Sequence, residues 1–126
     1  MKIMKYETFA KLYMEARCMY GKDDLEMYIA ERGWQDWMDW YDENQIAKLL
    51  SEIYKMAHMD IKSIRANMDK TRAEFSREYF IPLRTLQNWE LSPESKEKRE
   101  PAIHEMIALV YTFFIYDIYI KETANE

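Results

Sequence analysis

The sequence predicts an all-α fold, a compact helical domain, and three observations carry that expectation. Hydrophobic residues make up 48% of the 126 positions while Gly and Pro number 2 and 3, which disfavours a turn-rich sheet protein. Apolar residues recur at three- and four-residue spacing along most of the chain. Asp or Thr stands where several of these stretches begin, as helix N-caps do. A chain of this length makes one core, or one small module with an appendage.

The first helix is expected over residues 6–20, where Phe9, Leu12, Tyr13, Ala16 and Tyr20 fall on one side. Residues 21–24 end it. Asp23 and Asp24 suit the cap and first turn of a brief second helix with Leu25, Tyr28 and Ile29 inward, closing at Gly33. Trp34, Trp37 and Trp40 follow at intervals of three and are expected to form one aromatic ridge on a helical side. Such a ridge packs as core, the reading preferred here, or serves as a protein-docking surface. The acidic neighbours Asp36, Asp39, Asp42 and Glu43 repel phosphate and disfavour base stacking at that place.

A further helix from Asn44 or Gln45 to about Met56 carries a clean stripe of Ile46, Leu49, Leu50, Ile53 and Tyr54. It runs almost directly into the centre of the chain. With no Gly, Pro or Ser-rich linker between them, residues 1–59 are expected to be a helical region packed on a module of residues 60–126.

The module opens with Asp60 as an N-cap and a two-turn helix that turns Ile61, Ile64 and Met68 inward. Thr71-Arg72-Ala73-Glu74 has the capping-box pattern, so a new helix starts at Thr71 and should end near Tyr79. Pro82 disfavours helical geometry at Ile81 and suits the first turn of a third helix, Leu83 to Trp89, with Leu86 and Trp89 buried.

The stretch from Thr71 to Glu90 resembles the helix-turn-helix of the phage-repressor-like (Xre-type) family, which includes transcriptional regulators and many antitoxins. The resemblance covers about residues 60–90 and rests on Ala73-Glu74-Phe75, on Ile81-Pro82 at the turn, and on the Thr85-Leu86 and Trp89-Glu90 pairs. One position departs from the pattern: the family usually has Gly at the turn, where φ is positive, and this chain has Phe80. Either packing holds Phe80 there or the third helix is displaced.

What the resemblance implies is a third helix in the major groove of double-stranded DNA, with Leu83, Arg84, Gln87 and Asn88 outward. Arg84 suits guanine, Gln87 or Asn88 adenine, and Leu83 a thymine methyl. Thr71 and Arg72 are placed for phosphate, with Lys70 and Arg77 as weaker candidates. Lys96, Lys98 and Arg99, in the proline-bounded loop of residues 91–101, are candidates for added backbone contacts, though Glu94, Glu97 and Glu100 fit an ordinary solvated loop equally well.

After Pro101, expected in the first turn of a helix, residues 103–120 are apolar nearly all round. A helix of that kind needs cover on most sides. The N-terminal helices supply it, or a second copy does; the homodimer is preferred, because repressor-like modules read paired half-sites.

The net charge of -5 disfavours a whole-surface nucleic-acid footprint, and only residues 60–100, with 9 basic against 8 acidic residues, are not acidic. Cys18 is alone, and the chain shows no secretory leader pattern, so a cytoplasmic protein is expected. The most apolar stretch, residues 106–116, is far shorter than the roughly 20 residues of a bilayer span. No metal, cofactor or catalytic set is expected: His58 and His104 are far apart, and no His-x-x-x-His, Cys-x-x-Cys or Gly-rich phosphate loop occurs. The expected function is a sequence-specific DNA-binding regulator, a repressor-like protein acting on its own operon or on a mobile element. The alternative is an antitoxin or phage-derived inhibitor that binds another protein, with the helix-turn-helix auxiliary or degenerate.

Overall fold

The computed structural model describes residues 1–121. Among them there are helices and no strand, so the all-α expectation holds. In chain order these are α1 (Tyr6–Met19), α2 (Leu25–Ala30), α3 (Glu43–Ala57), α4 (Ile61–Asn67), α5 (Arg72–Glu78), α6 (Leu83–Trp89) and α7 (Ile103–Ile115). A 3₁₀ helix, Asp36–Trp40, precedes α3, and a π-helical stretch, Tyr116–Ile120, continues α7. The chain divides into two units, Met1–His58 with the residues from Leu109 onward, and Met59–Ala108. The second cut falls inside α7, so the C-terminal helix is shared between the units.

In the first unit α3 has the best-formed start. Gln45 N–H donates to Asp42 Oδ1 at 2.8 Å and Asp42 N–H donates to Gln45 Oε1 at 3.0 Å, a capping box that sets the start at Glu43. At α2 the expected cap is differently used: Asp24 stands at the N-cap, but its Oδ2 accepts from Gly21 N–H at 2.9 Å and so closes the preceding turn. The core gathers Phe9, Leu12, Tyr13 and Ala16 of α1, Tyr28 of α2, and Leu49, Leu50, Ile53 and Tyr54 of α3, all buried. Each large apolar side chain so enclosed contributes about 1.5–3 kcal/mol.

Phenols tie this unit together. Tyr28 Oη donates to Leu12 O at 2.9 Å in the interior. The extended N-terminal segment is held at both ends: Tyr41 Oη donates to Lys2 O at 2.5 Å, Tyr111 Oη to Met4 O at 2.7 Å, and Met4 N–H donates to Tyr119 Oη at 3.0 Å. Burial pushes the Tyr28 and Tyr41 phenols well above their ordinary value. Arg32, paired with Glu15, has its side chain largely enclosed but not orphaned, because its Nε donates to Tyr28 O at 2.9 Å and its Nη2 to Tyr20 Oη at 3.0 Å.

The expected tryptophan ridge does not form. Gly33, at φ 64, turns the chain, and the 3₁₀ helix begins only at Asp36, so Trp34 lies outside it. The three rings meet different surroundings. Trp37 is buried at 9% exposure, Trp40 is at 37% with the Lys2 ammonium 3.8 Å from its ring centroid, and Trp34 stands out at 68%.

The C-terminal helix begins later than Pro101, at Ile103, where Ala102 N–H donates to Glu105 Oε1 at 3.2 Å. It also runs on past Asp117, because the π-helical stretch continues it. Ile103–Ile120 is therefore long and apolar enough, by length and composition, to cross a membrane, the one such helix among the described residues. Its second half packs as a core helix does: Phe114 and Tyr111 lie 4.9 and 5.2 Å, ring to ring, from Phe9.

Candidate nucleic-acid interface

Before the start of α7 the second unit is built from three helices of seven residues each, bounded by local chemistry. Asp60 Oδ1 accepts from Ser63 N–H at 2.8 Å to start α4. Asp69, at φ 56, ends it: Asp69 N–H reaches Ala66 O at 3.1 Å and Lys70 N–H reaches Arg65 O at 3.5 Å, the Schellman arrangement. At α5 both halves of the capping box are made, with Glu74 N–H to Thr71 Oγ1 and Thr71 N–H to Glu74 Oε1, each at 3.1 Å. The Thr71 N–H, with the Thr71 hydroxyl beside it, also holds the Glu74 carboxyl below its usual range.

Phe80 makes the exit from α5. It takes φ 56, the left-handed conformation that the turn demands. Ile81 N–H donates to Ser76 O at 3.0 Å and Ser76 Oγ donates to Ile81 O at 2.5 Å, which clamps the turn from both sides. Packing does not hold the ring: Phe80 is 93% exposed. Of the two explanations open at the sequence level, the packing one is removed. The hydrogen bonds across the turn hold the strained residue.

From Pro82, which occupies the N-cap, α6 runs with Leu86 and Trp89 buried and Leu83 and Arg84 exposed. Gln87 and Asn88 are partly exposed along the same helix. Two groups cap its far end, the Lys98 ammonium on Trp89 O and Arg99 N–H on Asn88 O at 3.2 Å.

At the C-terminal end of α6 a charge cluster gathers around one enclosed carboxylate. Glu90, whose side chain is fully enclosed, receives Arg65 Nε at 2.8 Å and Arg65 Nη2 at 2.7 Å, and Arg72 Nε at 3.2 Å. Burial alone would raise the Glu90 carboxyl, but the two guanidiniums outweigh it and hold the group below its usual value. With two arginines to one carboxylate, the cluster keeps one net positive charge.

The other expected contacts are variously engaged. Thr71 is exposed and serves as the α5 cap, and Arg72 is half-exposed despite its bond to Glu90. Lys70 pairs with Glu78 at 2.6 Å. Arg84 lies 3.9 Å from Glu97, with both side chains largely in solvent, a separation that binds neither firmly. Lys98, besides capping α6, lies 3.7 Å from Glu100, and Arg99 Nη1 turns back onto Lys96 O and Lys98 O. Lys96 and Arg77 are exposed. The loop cations thus shape the end of α6 first. Sequence reasoning missed Arg65 and Glu90, which stand 25 residues apart. No local pattern links positions at that spacing.

Among the described residues no group of three His, Cys, Asp or Glu could hold a metal ion. Comparison of the chain with protein-family models, with curated proteins and with solved structures gave no match.

Proposed function

We propose that this protein is a sequence-specific DNA-binding regulator, repressor-like, which lays α6 in the major groove of double-stranded DNA. The observation that carries the reading is the two-sidedness of α6: Leu86 and Trp89 anchor it while Leu83 and Arg84 stand exposed, with Gln87 and Asn88 alongside. These side chains match base edges, Arg84 for guanine, Gln87 or Asn88 for adenine and Leu83 for a thymine methyl. The capped start of α5 at Thr71, with Arg72 half-exposed beside it, supplies phosphate contacts. Binding as a homodimer, with two half-sites, gives affinity that a module of near-even charge lacks alone.

A mobility-shift assay with the DNA upstream of its own gene, at two salt concentrations, tests the proposal. Retardation that weakens steeply with salt is expected. No retardation at the lower salt sinks the reading. Light scattering at micromolar concentration tests the dimer, and a strictly monomeric mass rejects it.

A second reading has its own observation. Trp34, at 68% exposure, stands on the rim of a hollow of about 350 Å³ lined by Ile29, Met38, Ile46 and Leu50, with Glu43 at its edge. An exposed tryptophan beside apolar space suits a protein partner, as in an antitoxin or phage-derived inhibitor. Titration of the protein with the product of the adjacent gene tests it; heat or mobility changes abolished by Trp34→Ala support it, and their absence goes against it.

A further inference from the structure

We propose that the hollow between the turn before α2 and the last turns of α3 binds a small organic anion, one with an apolar body and a single carboxylate or phosphate. The site lies wholly in the N-terminal unit and does not depend on whether α6 meets DNA. Its volume, about 440 Å³, suits a small molecule.

The lining has a surplus of donors. Lys22 and Lys55 both face solvent, and neither is in an ion pair among the described residues. Against their two ammoniums stands one carboxylate, Glu52, so the lining carries a net positive charge. Tyr54, only 4% exposed, accepts from Asp24 N–H at 2.9 Å, while its own hydroxyl proton has no acceptor among the described residues. Beside it the His58 ring lies 4.8 Å away, centroid to centroid, and its buried Nε2 has no hydrogen-bond partner among the described residues.

Buried polar groups are normally satisfied, and one atom without a partner, His58 Nε2, beside one hydroxyl with its proton unused, Tyr54, marks a place for an acceptor in the wall of this hollow. An anion supplies it. Its charge meets Lys22 and Lys55, its oxygens take the Tyr54 hydroxyl, and His58 Nε2, when it carries the ring proton, has that proton to donate. Leu25 and the two rings give the apolar body a surface. A cation of equal size gains only Glu52.

The test uses isotope-labelled full-length protein, titrated in separate arms with phenyl phosphate, with benzoate, and with benzylamine as a cation of similar size. Saturating amide shifts at Leu25, Ser51, Lys55 and His58 are expected from at least one anion and not from benzylamine. Response to phenyl phosphate alone assigns a phosphate ligand, and response to benzoate alone a carboxylate. Lys22→Ala with Lys55→Ala, both at exposed positions, should weaken binding about tenfold or more, and added salt should weaken it in the wild-type chain. Unsaturable responses to both anions, equal binding of benzylamine, or undiminished affinity in the double variant overturns the proposal.

Discussion

Arg65 grips Glu90 with two nitrogens, Nε at 2.8 Å and Nη2 at 2.7 Å, across 25 residues of sequence. Arg65 belongs to α4, and Glu90 is the residue that closes α6. Arg72, in the first turn of α5, adds a third bond to the same carboxylate at 3.2 Å. One buried acid thus joins three helices too short to be stable alone. The fork geometry is the kind in which charge-assisted bonds are strongest.

Glu90→Gln should therefore destabilise the protein by about 3 kcal/mol, because it leaves two guanidiniums around a neutral amide. Urea denaturation measures the loss. The pH dependence has a definite sign: the folded-state carboxyl titrates below its unfolded value, so its stabilisation is complete above the unfolded value and is lost as pH falls through the folded one. The acid limb of stability against pH should be shallower in Glu90→Gln than in the wild type.

Phe80 supplies the opposite result, a substitution that should stabilise. Its left-handed conformation costs a bulky residue about 1–2 kcal/mol, and a ring at 93% exposure recovers little by packing. Glycine removes that strain but adds chain entropy to the unfolded state. The net expectation for Phe80→Gly is a gain of about 0.5–1 kcal/mol, whereas β-branched Phe80→Val should lose stability. Thermal melting of the two variants beside the wild type checks both signs.

What was legible in the sequence was what neighbours decide. Thr71 and Glu74 sit three apart and form the box their spacing announces; Asp60 caps at the same reach, and Ile81-Pro82 stops one helix before the next. The positive φ at Phe80 was expected through the resemblance, whose turn usually has Gly there, and the residue does adopt it. Long-range relations could not be read. Arg65 reaches Glu90 only because the turns at Asp69 and Phe80 fold three helices back, and both residues look like ordinary surface charges in the sequence. The tryptophan spacing misled because a period of three implies one helical side only if a single helix contains all three rings, and Gly33 breaks that condition. The helix over residues 103–120 was legible, but its apolar length was not, since Asp117 interrupts the hydropathy run without interrupting the helix.

The tryptophans now give a graded prediction. Trp37→Ala empties a buried site and should cost about 3–5 kcal/mol. Trp34→Ala, at an exposed position, should stay within about 0.5 kcal/mol of the wild type. Parallel urea curves decide it, and equal losses would restore the single-ridge picture.

The DNA reading is tested most sharply by separating base contacts from charge. Arg84 is exposed and only loosely near Glu97 at 3.9 Å, so Arg84→Ala removes a reader without disturbing the fold. It should cost about 1–3 kcal/mol on the preferred site and little elsewhere, relaxing sequence preference, and Gln87→Ala should do the same at a neighbouring base. Arg72→Ala differs, because Arg72 also bonds Glu90: it should weaken all sequences alike, lower the salt slope by about 1, and reduce stability. Arg77, exposed and outside the Glu90 cluster, isolates the electrostatic part, so Arg77→Ala tests charge alone. Competition shift assays at two salts, run beside urea denaturation of each variant, distinguish these outcomes. If Arg84→Ala and Arg77→Ala weaken specific and non-specific DNA by the same factor, α6 is not reading bases.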